Sequence, residues 1–333
     1  MSTTEGHSRP RGGVDLGGTK IQAVVVDEAH AVLGDARHPT PTEGGPEDVA
    51  RAIAAALREA ADEAGVRTAD LAGVGVGSPG EIDAERGTVS SARNLPNWEG
   101  SFALGPALAE ALGTPVALGN DVDVATDAEA ALGAGRPYRS LLGVFWGTGV
   151  GGGIILDGRP WTGRGGAGEI GHMVVKIDGA LCGCGRRGCM EAYAGRASME
   201  RRARSRHKDG EKTDLFKIMH KRGRTRLTSG IWSRALDAGD PLARKLIDDA
   251  VEALGAGVAS AVNLLDVEAV IVGGGLGVRL GEPYVERIRA AMMPHLFGDQ
   301  DPPAVHLAAL GDLGGAIGAT LLAARRQGFA AVA

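Results

Sequence analysis

Hydrophobic and polar positions follow two different periods along this chain. Between residues 12 and 40, short apolar runs separated by tight turns predict three β-strands, and Val24-Val25-Val26 is the clearest β-branched run. Residues 47–65 then place alanine and leucine at helical spacing and stop at Gly65, which predicts a helix. Strands followed by a helix indicate an α/β protein.

The same order then recurs along the rest of the chain. Further predicted strands are residues 71–80, 115–121, 140–158 (a strand, a glycine turn and a second strand), 267–277 and 304–310; further predicted helices are 106–112, 124–135, 241–265, one after Tyr284, and 314–326. Two α/β halves, each opening with a glycine-turn hairpin, predict two similar lobes with a cleft between them.

Composition narrows the class of protein. With 333 residues and 44% hydrophobic positions the chain can bury one large core or, as its length favours, two. The net charge of −5 offers no general attraction to nucleic acid or anionic lipid. The longest uncharged run is broken by glycines, so no membrane segment is expected. Three cysteines and no apolar leader predict a cytoplasmic protein without disulfides.

Residues 196–226 are strongly basic, with twelve Lys or Arg and four Asp or Glu. Basic runs are usually solvated surface, so a helix pair with a loop is the favoured interpretation. A surface that binds a polyanion is the alternative.

Two glycine-rich segments are candidates for phosphate binding. Residues 15–20, "DLGGTK", and 147–153, "GTGVGGG", place glycines and a threonine at turns where backbone N–H groups can face phosphate oxygens. Neither matches the Walker pattern, and "GGGLG" after Val272 lacks the last glycine of the dinucleotide fingerprint. Ordinary hairpin turns therefore remain possible, although Asp15 before the first loop is suited to hold a hydrated Mg²⁺.

All three cysteines cluster after a histidine. His172, Cys182, Cys184 and Cys189 supply one nitrogen and three sulfurs, the ligand set of a closed, structural zinc site. The alternative is three buried thiols and a core histidine. Ligation would fix the two carboxylates that flank the cluster, Glu169 and Glu191.

An Asn-Asp pair, Asn120 and Asp121, ends the strand predicted at 115–121. Open α/β sheets bind ligands at this end of a strand, so Asp121 is a candidate general base. It is equally a candidate N-cap for the helix that follows, and spacing alone does not separate the two roles.

Taken together, these motifs resemble a known family. "VDLGGTK", "GVGSPG", "NLPNWEG", "GNDVDVA", "GTGVGGGIILDG", "GEIGH", "CGCGRRGCMEAYAG" and "VIVGGGLG" occur in the order and spacing of the ROK family of sugar kinases and related repressors, over about residues 13–323. The resemblance implies an actin-like ATPase (ribonuclease H-like) fold with two lobes around a nucleotide and sugar cleft. Residues 1–119 would form the small lobe, closed by helix 313–333, and residues 120–312 the large lobe with the zinc site.

The resemblance also implies roles for individual residues. Asp121 would be the general base on the sugar hydroxyl. The sugar would be bound by Gly80 through its backbone and by Asn120, Asp121, Glu169, His172 and Glu191. ATP with Mg²⁺ would be bound by Asp15, Gly17, Gly18, Thr19, Lys20, Gly147, Thr148, Gly149, Gly273, Gly274 and Gly275.

The function implied is phosphorylation of a hexose by ATP, and "NLPNWEG" looks most like the glucokinases of the family, which make glucose 6-phosphate. Kinases for N-acetylglucosamine, N-acetylmannosamine or fructose use the same scaffold. A sugar-responsive regulator would need a helix-turn-helix, and about a dozen residues before "VDLGGTK" are too few for one. Polyphosphate is a further possible donor, suggested by the basic segment. The family is usually dimeric or tetrameric, so a homo-oligomer is expected.

Overall fold

The computed structural model describes residues 9–92, 94–298 and 300–326. Its strands are β1 (Arg11–Leu16), β2 (Lys20–Val26), β3 (Val32–Pro39), β4 (Val74–Ser78), β5 (Glu81–Asp83), β6 (Thr88–Ser90), β7 (Ser101–Phe102), β8 (Val116–Asn120), β9 (Leu141–Trp146), β10 (Val150–Leu156), β11 (Arg159–Pro160), β12 (Ala269–Gly273) and β13 (Ala304–Leu307).

The α-helices are α1 (Pro46–Glu63), α2 (Leu104–Leu112), α3 (Asp121–Leu132), α4 (Met190–Ala194), α5 (Arg196–Lys208), α6 (Leu215–Lys221), α7 (Ser229–Asp237), α8 (Pro241–Leu265), α9 (Gly274–Leu280), α10 (Glu282–Met292) and α11 (Gly314–Arg326). Single 3₁₀ turns occur at Thr68–Asp70, Ile170–His172, Met293–His295 and Gly311–Leu313.

The chain forms two compact units. The first runs up to Ala131 and resumes at Leu310, and the second is Leu132–Ala309. The division expected from the sequence placed residues 120–131 in the second unit. They belong to the first because α3 packs against α11: a Cβ at Gly318 would lie 2.6 Å from the Val124 carbonyl oxygen, and Arg325 pairs with Asp127 at 2.6 Å.

A five-stranded sheet forms the core of the first unit, in the order β3-β2-β1-β4-β8. The β1–β2 and β2–β3 pairs are antiparallel hairpins, whereas β4 and β8 run parallel to β1. Helix α1 covers one face and α11 the other. The closeness of α11 requires glycine, since a Cβ at Gly13 would lie 2.0 Å from the Ala316 carbonyl oxygen and one at Gly75 1.7 Å from that of Ala319.

The second unit repeats this topology. Its sheet has the order β11-β10-β9-β12-β13, with an antiparallel meander from β9 to β11 and with β12 and β13 parallel to β9. The long buried helix α8 packs against α4 and α10. A Cβ at Gly257 in α8 would lie 2.6 Å from the Met190 sulfur, so glycine lets α4 approach closely.

Most elements match the pattern in the sequence. Helix α8 begins and ends at the predicted residues, α11 begins at Gly314, and residues 327–333 of the predicted helix 313–333 lie outside the described residues. The basic segment forms α5 and α6 with largely exposed cations. The predicted strand 267–277 ends earlier, at Gly273, because Gly274 adopts φ +79° and turns the chain into α9. A small sheet, β5-β6-β7, lies in the first unit and was not predicted.

Candidate active site

The first glycine loop is a tight turn between β1 and β2. The Gly17 N–H donates to the Lys20 carbonyl at 2.9 Å, and the Thr40 hydroxyl donates to the Gly17 carbonyl at 2.6 Å. Gly18 and Thr19 are exposed at its tip. The base of the loop is therefore fixed by hydrogen bonds while its tip is open to solvent. This arrangement allows backbone N–H groups at the tip to bind an anion.

Asp15 stands at the end of β1 beside this loop. Burial raises the pKa of its carboxyl, and the nearby Lys20 ammonium acts in the opposite direction. Lys20 itself pairs with Asp312 at 2.8 Å. Two acidic groups and one lysine thus surround the loop, which provides oxygen ligands for a hydrated divalent cation.

Asp312 and Gly315 are functional candidates that the sequence reasoning missed. A Cβ at Gly315 would lie 2.9 Å from the Asp15 Cγ, so the start of α11 must carry glycine for the carboxyl of Asp15 to fit. The available signal was the repeat of "DLGG" at 312–315, which echoes "DLGG" at 15–18. In the structure the second copy packs directly against the first, which the repeat alone does not show.

Asn120 is the N-cap of α3. Its side-chain oxygen accepts hydrogen bonds from the N–H groups of Val122 at 3.0 Å and Asp123 at 3.3 Å, the second and third helical residues. Asp121 is the first residue of the helix itself, and its carboxylate accepts from the Val122 N–H at 3.0 Å. The capping role that competed for Asp121 is therefore filled by its neighbour.

The Asp121 carboxyl has an unusual environment. Burial and then the charge of Asp15 raise its pKa to about 7. Because the charge of Asp15 acts on the buried Asp121 carboxyl, the two groups lie close to each other. The first unit thus brings together Asp15, from the end of β1, and Asp121, from the end of β8.

Gly80 lies in the turn after β4, with φ +100°. A Cβ there would lie 2.5 Å from the Ser90 carbonyl oxygen. The position therefore requires glycine on two independent grounds, and any contact it makes with a ligand is through its backbone.

In the second unit, the histidine and the three cysteines converge as the sequence predicted. One ligand atom from each of His172, Cys182, Cys184 and Cys189 lies within 4.8 Å of the others, and the three thiols are not joined in a disulfide. The Cys184–Cys189 sulfur separation and the separation of Cys182 Sγ from His172 Nδ1 are both 3.8 Å.

These separations fit a zinc ion. Sulfurs bound at 2.3 Å around a tetrahedral centre lie about 3.8 Å apart. Burial raises the pKa of the Cys182 thiol to about 12, so a cation is needed to make that sulfur anionic at neutral pH. Four soft or borderline ligands and no open position describe a structural site rather than a catalytic one.

Two carboxylates lie directly against this cluster. Glu169 Oε2 is 3.8 Å from His172 Nε2, and Glu191 Oε1 is 3.7 Å from Cys182 Sγ. Glu191 Oε2 also accepts the Val150 N–H at 3.0 Å, and a Cβ at Gly149 would lie 2.2 Å from that oxygen. Glu169 and Glu191 therefore adjoin the cluster, and glycine at 149 gives the Glu191 carboxylate its space.

The remaining two glycine loops are neighbours in the second unit. Gly147–Gly149 connects β9 to β10, and Gly273–Gly275 follows β12, which pairs with β9 in parallel. At Gly274 a Cβ would lie 2.7 Å from the backbone of Trp146. Both loops therefore stand at the carboxyl ends of adjacent parallel strands, where α/β sheets bind ligands.

Across the described residues, none of the helices combines the length and the apolar character needed to cross a bilayer.

Comparison with known proteins identifies the family of this chain. The ROK family model matches residues 11–326. The chain is 35% identical to a glucokinase of Thermotoga maritima over 86% of its own length and 89% of the relative's, and 34% identical to the N-acetylgalactosamine kinase AgaK of a Shewanella species over 93% and 95%.

A solved structure is also similar. The ROK family glucokinase of Streptomyces griseus, crystallised with glucose and AMPPNP, is 35% identical and superposes with a TM-score of 0.81 over 95% of this chain and 99% of that one. The expectation of an actin-like ATPase fold is confirmed. The expected family is confirmed too, and this chain belongs to the ROK family.

Proposed function

We propose that the protein is an ATP-dependent hexose kinase that converts glucose to glucose 6-phosphate, with Asp121 as general base. The observation that carries this proposal is the carboxyl of Asp121 at the end of β8, with a pKa of about 7 and with the helix cap supplied by Asn120. A base with this pKa is both deprotonated in part and basic enough to take a proton at neutral pH.

The chemistry assigned to Asp121 is a single proton transfer. As the sugar hydroxyl oxygen attacks the γ-phosphorus of ATP, its proton passes to an Asp121 carboxylate oxygen, and the bond from phosphorus to the bridging oxygen breaks to release ADP. Asn120 is assigned to the sugar beside it through its NH₂ group, since its oxygen is occupied by the cap.

Sugar recognition is assigned to Glu169, His172 and Glu191, with Gly80 contributing through its backbone. Zinc on Nδ1 would leave Nε2 of His172 protonated, so this nitrogen would be a fixed donor for a sugar hydroxyl, 3.8 Å from the Glu169 carboxylate. Zinc bound to the four ligands supplies rigidity. Rigid partners for hydroxyl groups give selectivity, because a wrong epimer leaves buried polar groups unpaired.

The donor is assigned to the glycine loops. Asp15 and Lys20, with Gly17, Gly18 and Thr19, would bind Mg²⁺ and phosphate oxygens in the first unit. Gly147, Thr148 and Gly149 with Gly273, Gly274 and Gly275 would bind the nucleotide in the second. The relative crystallised with AMPPNP supports a nucleotide as donor. A cytoplasmic location and a homodimer or homotetramer remain predictions.

An N-acetylhexosamine kinase is the second candidate, because the chain is nearly as similar to AgaK as to the glucokinase of Thermotoga maritima. An assay that detects the sugar phosphate formed tests both. It uses glucose, mannose, fructose and the N-acetylhexosamines as acceptors, and ATP, GTP and polyphosphate as donors. Glucose with ATP should give the highest kcat/KM. Preference for an N-acetylated sugar would favour the second candidate, and no turnover on any sugar would contradict kinase activity.

A further inference from the structure

Arg196, the first residue of α5, lies between the two glycine loops of the second unit. One terminal nitrogen of its guanidinium donates to the Thr148 hydroxyl at 2.8 Å, and the other donates to the Ser229 hydroxyl at 2.8 Å. Thr148 belongs to the loop after β9. The Ser229 oxygen lies 3.8 Å from where a Cβ on Gly275 would be, so it adjoins the loop after β12.

The backbone fixes this position as well. The Arg196 N–H donates to the Gly147 carbonyl at 3.1 Å, and the Ala197 N–H donates to the Thr148 carbonyl at 3.0 Å. The start of α5 is thereby attached to the first two residues of this loop. These backbone bonds fix the Cα of Arg196 beside the loop, and the side-chain bonds to Thr148 and Ser229 fix the guanidinium.

The positive charge of Arg196 is poorly compensated by protein. Both hydroxyl partners are neutral. Glu200 is the nearest source of attraction, but its carboxylate pairs with Arg204 at 2.6 Å and accepts the Leu227 N–H at 2.9 Å. Burial and the charge of Arg226 lower the pKa of the Arg196 guanidinium. A partly buried cation beside a second cation is suited to bind an anion.

The guanidinium also has donors to spare. It carries five N–H groups, and the hydrogen bonds to Thr148 and Ser229 use one on each terminal nitrogen. Within the described chain it makes no other hydrogen bond. Its planar, forked geometry matches two oxygens of one phosphate group.

We propose that Arg196 binds the phosphate chain of the donor nucleotide directly, with its orientation set by Thr148 and Ser229. This inference rests on the proposed function, which makes ATP the donor. It explains why a cation lies between two loops that otherwise offer only backbone and hydroxyl groups. It also predicts that the second unit discriminates nucleotides by their phosphates rather than only by adenosine.

Equilibrium binding of ATP, ADP and adenosine, measured by calorimetry without a sugar, tests the proposal. Arg196→Ala should weaken ATP and ADP binding about tenfold to a hundredfold, the loss typical of a hydrogen-bonded charge pair, and leave adenosine within about twofold. Arg196→Lys should cause an intermediate loss of ATP and ADP affinity, since lysine keeps the charge but lacks the forked guanidinium. Arg201→Ala is the matched control, because Arg201 is an exposed arginine on the same helix that bonds only Ser198 at 3.0 Å.

An equal loss for adenosine and ATP would overturn the proposal and leave Arg196 as a support for the loops. Unchanged ATP binding in Arg196→Ala would overturn it too. A failure of the proposed function gives a different result: the wild-type protein then phosphorylates no sugar. The binding assay still measures whether Arg196 contributes to binding of the nucleotide phosphates.

Discussion

The two sheets share one strand order and one pattern of parallel and antiparallel pairs, yet their glycine loops have opposite chemistry. The first loop, between β1 and β2, is surrounded by Asp15, Lys20 and Asp312, and the carboxyl of Asp121, directly after β8, has a raised pKa. The corresponding loop of the second sheet, between β9 and β10, has a cation, Arg196, and a hydroxyl, Thr148.

This difference shows what topology decides and what it leaves open. Both turns connect the first two antiparallel strands of their sheets, although four residues separate the last strand pair in the first hairpin and three in the second. Part of the charge at each turn comes from elements far along the chain: the 3₁₀ turn at Gly311–Leu313 brings Asp312 to the first loop, and the start of α5 brings Arg196 to the second. We therefore expect substitutions at the first turn to affect Mg²⁺ binding and turnover, and substitutions at the second turn to affect nucleotide binding.

The largest effect is expected from Asp121→Asn. Removing the base should lower kcat at least about a hundredfold, within the range of general-base catalysis, while KM for the sugar changes much less because the amide still hydrogen-bonds. Steady-state kinetics on glucose measure both. Wild-type kcat/KM should also fall as the pH drops below about 7, where Asp121 becomes protonated.

Asn120→Ala is the informative comparison for this variant. Asn120 caps α3, so its removal should cost about 1 kcal/mol of stability, whereas Asp121→Asn leaves the cap in place. If Asp121→Asn keeps more than a tenth of wild-type turnover, another group must be the base.

The next effect concerns Mg²⁺ at the first loop. Asp15→Asn should lower kcat about tenfold or more at limiting Mg²⁺, because a neutral amide is a weaker ligand for a hard cation. Glucose binding, measured by calorimetry, should change little. Wild-type turnover should stop in excess chelator, and turnover that continued there would contradict a role for the cation.

Much of the fold was visible in the sequence. Helix α8 from Pro241 to Leu265 and the glycine turns were predicted because long periodic helices and glycine clusters carry strong local signals. The sheet β5-β6-β7 was missed, since strands of two or three residues have no period to detect. The end of β12 at Gly273 was misplaced because only the φ of Gly274 distinguishes a strand from a turn there.

The site was predictable where its ligands are close in sequence, as in the cluster from His172 to Cys189. It was not where partners are distant. Lys20 and Asp312 are 292 positions apart, and nothing local in "DLGGA" shows that it packs against Asp15. Arg196 was assigned to a solvated basic run, although its guanidinium is held between two loops.

A smaller effect is expected from the metal cluster. Cys184→Ser should weaken zinc binding and raise KM for glucose severalfold, because Glu169 and Glu191 lose their rigid neighbour. Elemental analysis of the wild-type protein should find about one zinc per chain. A direct effect on adenosine binding should be absent. Folded, active wild-type protein without zinc would show that the four side chains pack without a metal.

The smallest effect is on stability, and its sign follows from the raised pKa of Asp121. In the unfolded chain this carboxyl ionises near 3.8, and in the folded protein at about 7. Between these values the native state binds the extra proton. The stability of the wild-type protein therefore falls as pH rises toward 7 and is constant above that value.

Asp121→Asn removes this titration. Thermal unfolding at pH 5 and pH 8 should therefore show the variant gaining a few degrees on the wild type at pH 8 and much less at pH 5. Such a gain would show that the buried Asp121 carboxylate lowers the stability of the first unit. In the second unit, Arg196→Ala should change stability without a comparable dependence on pH. Equal midpoints at both pH values would mean that the Asp121 carboxylate is well solvated and that its role as a tuned base must be given up.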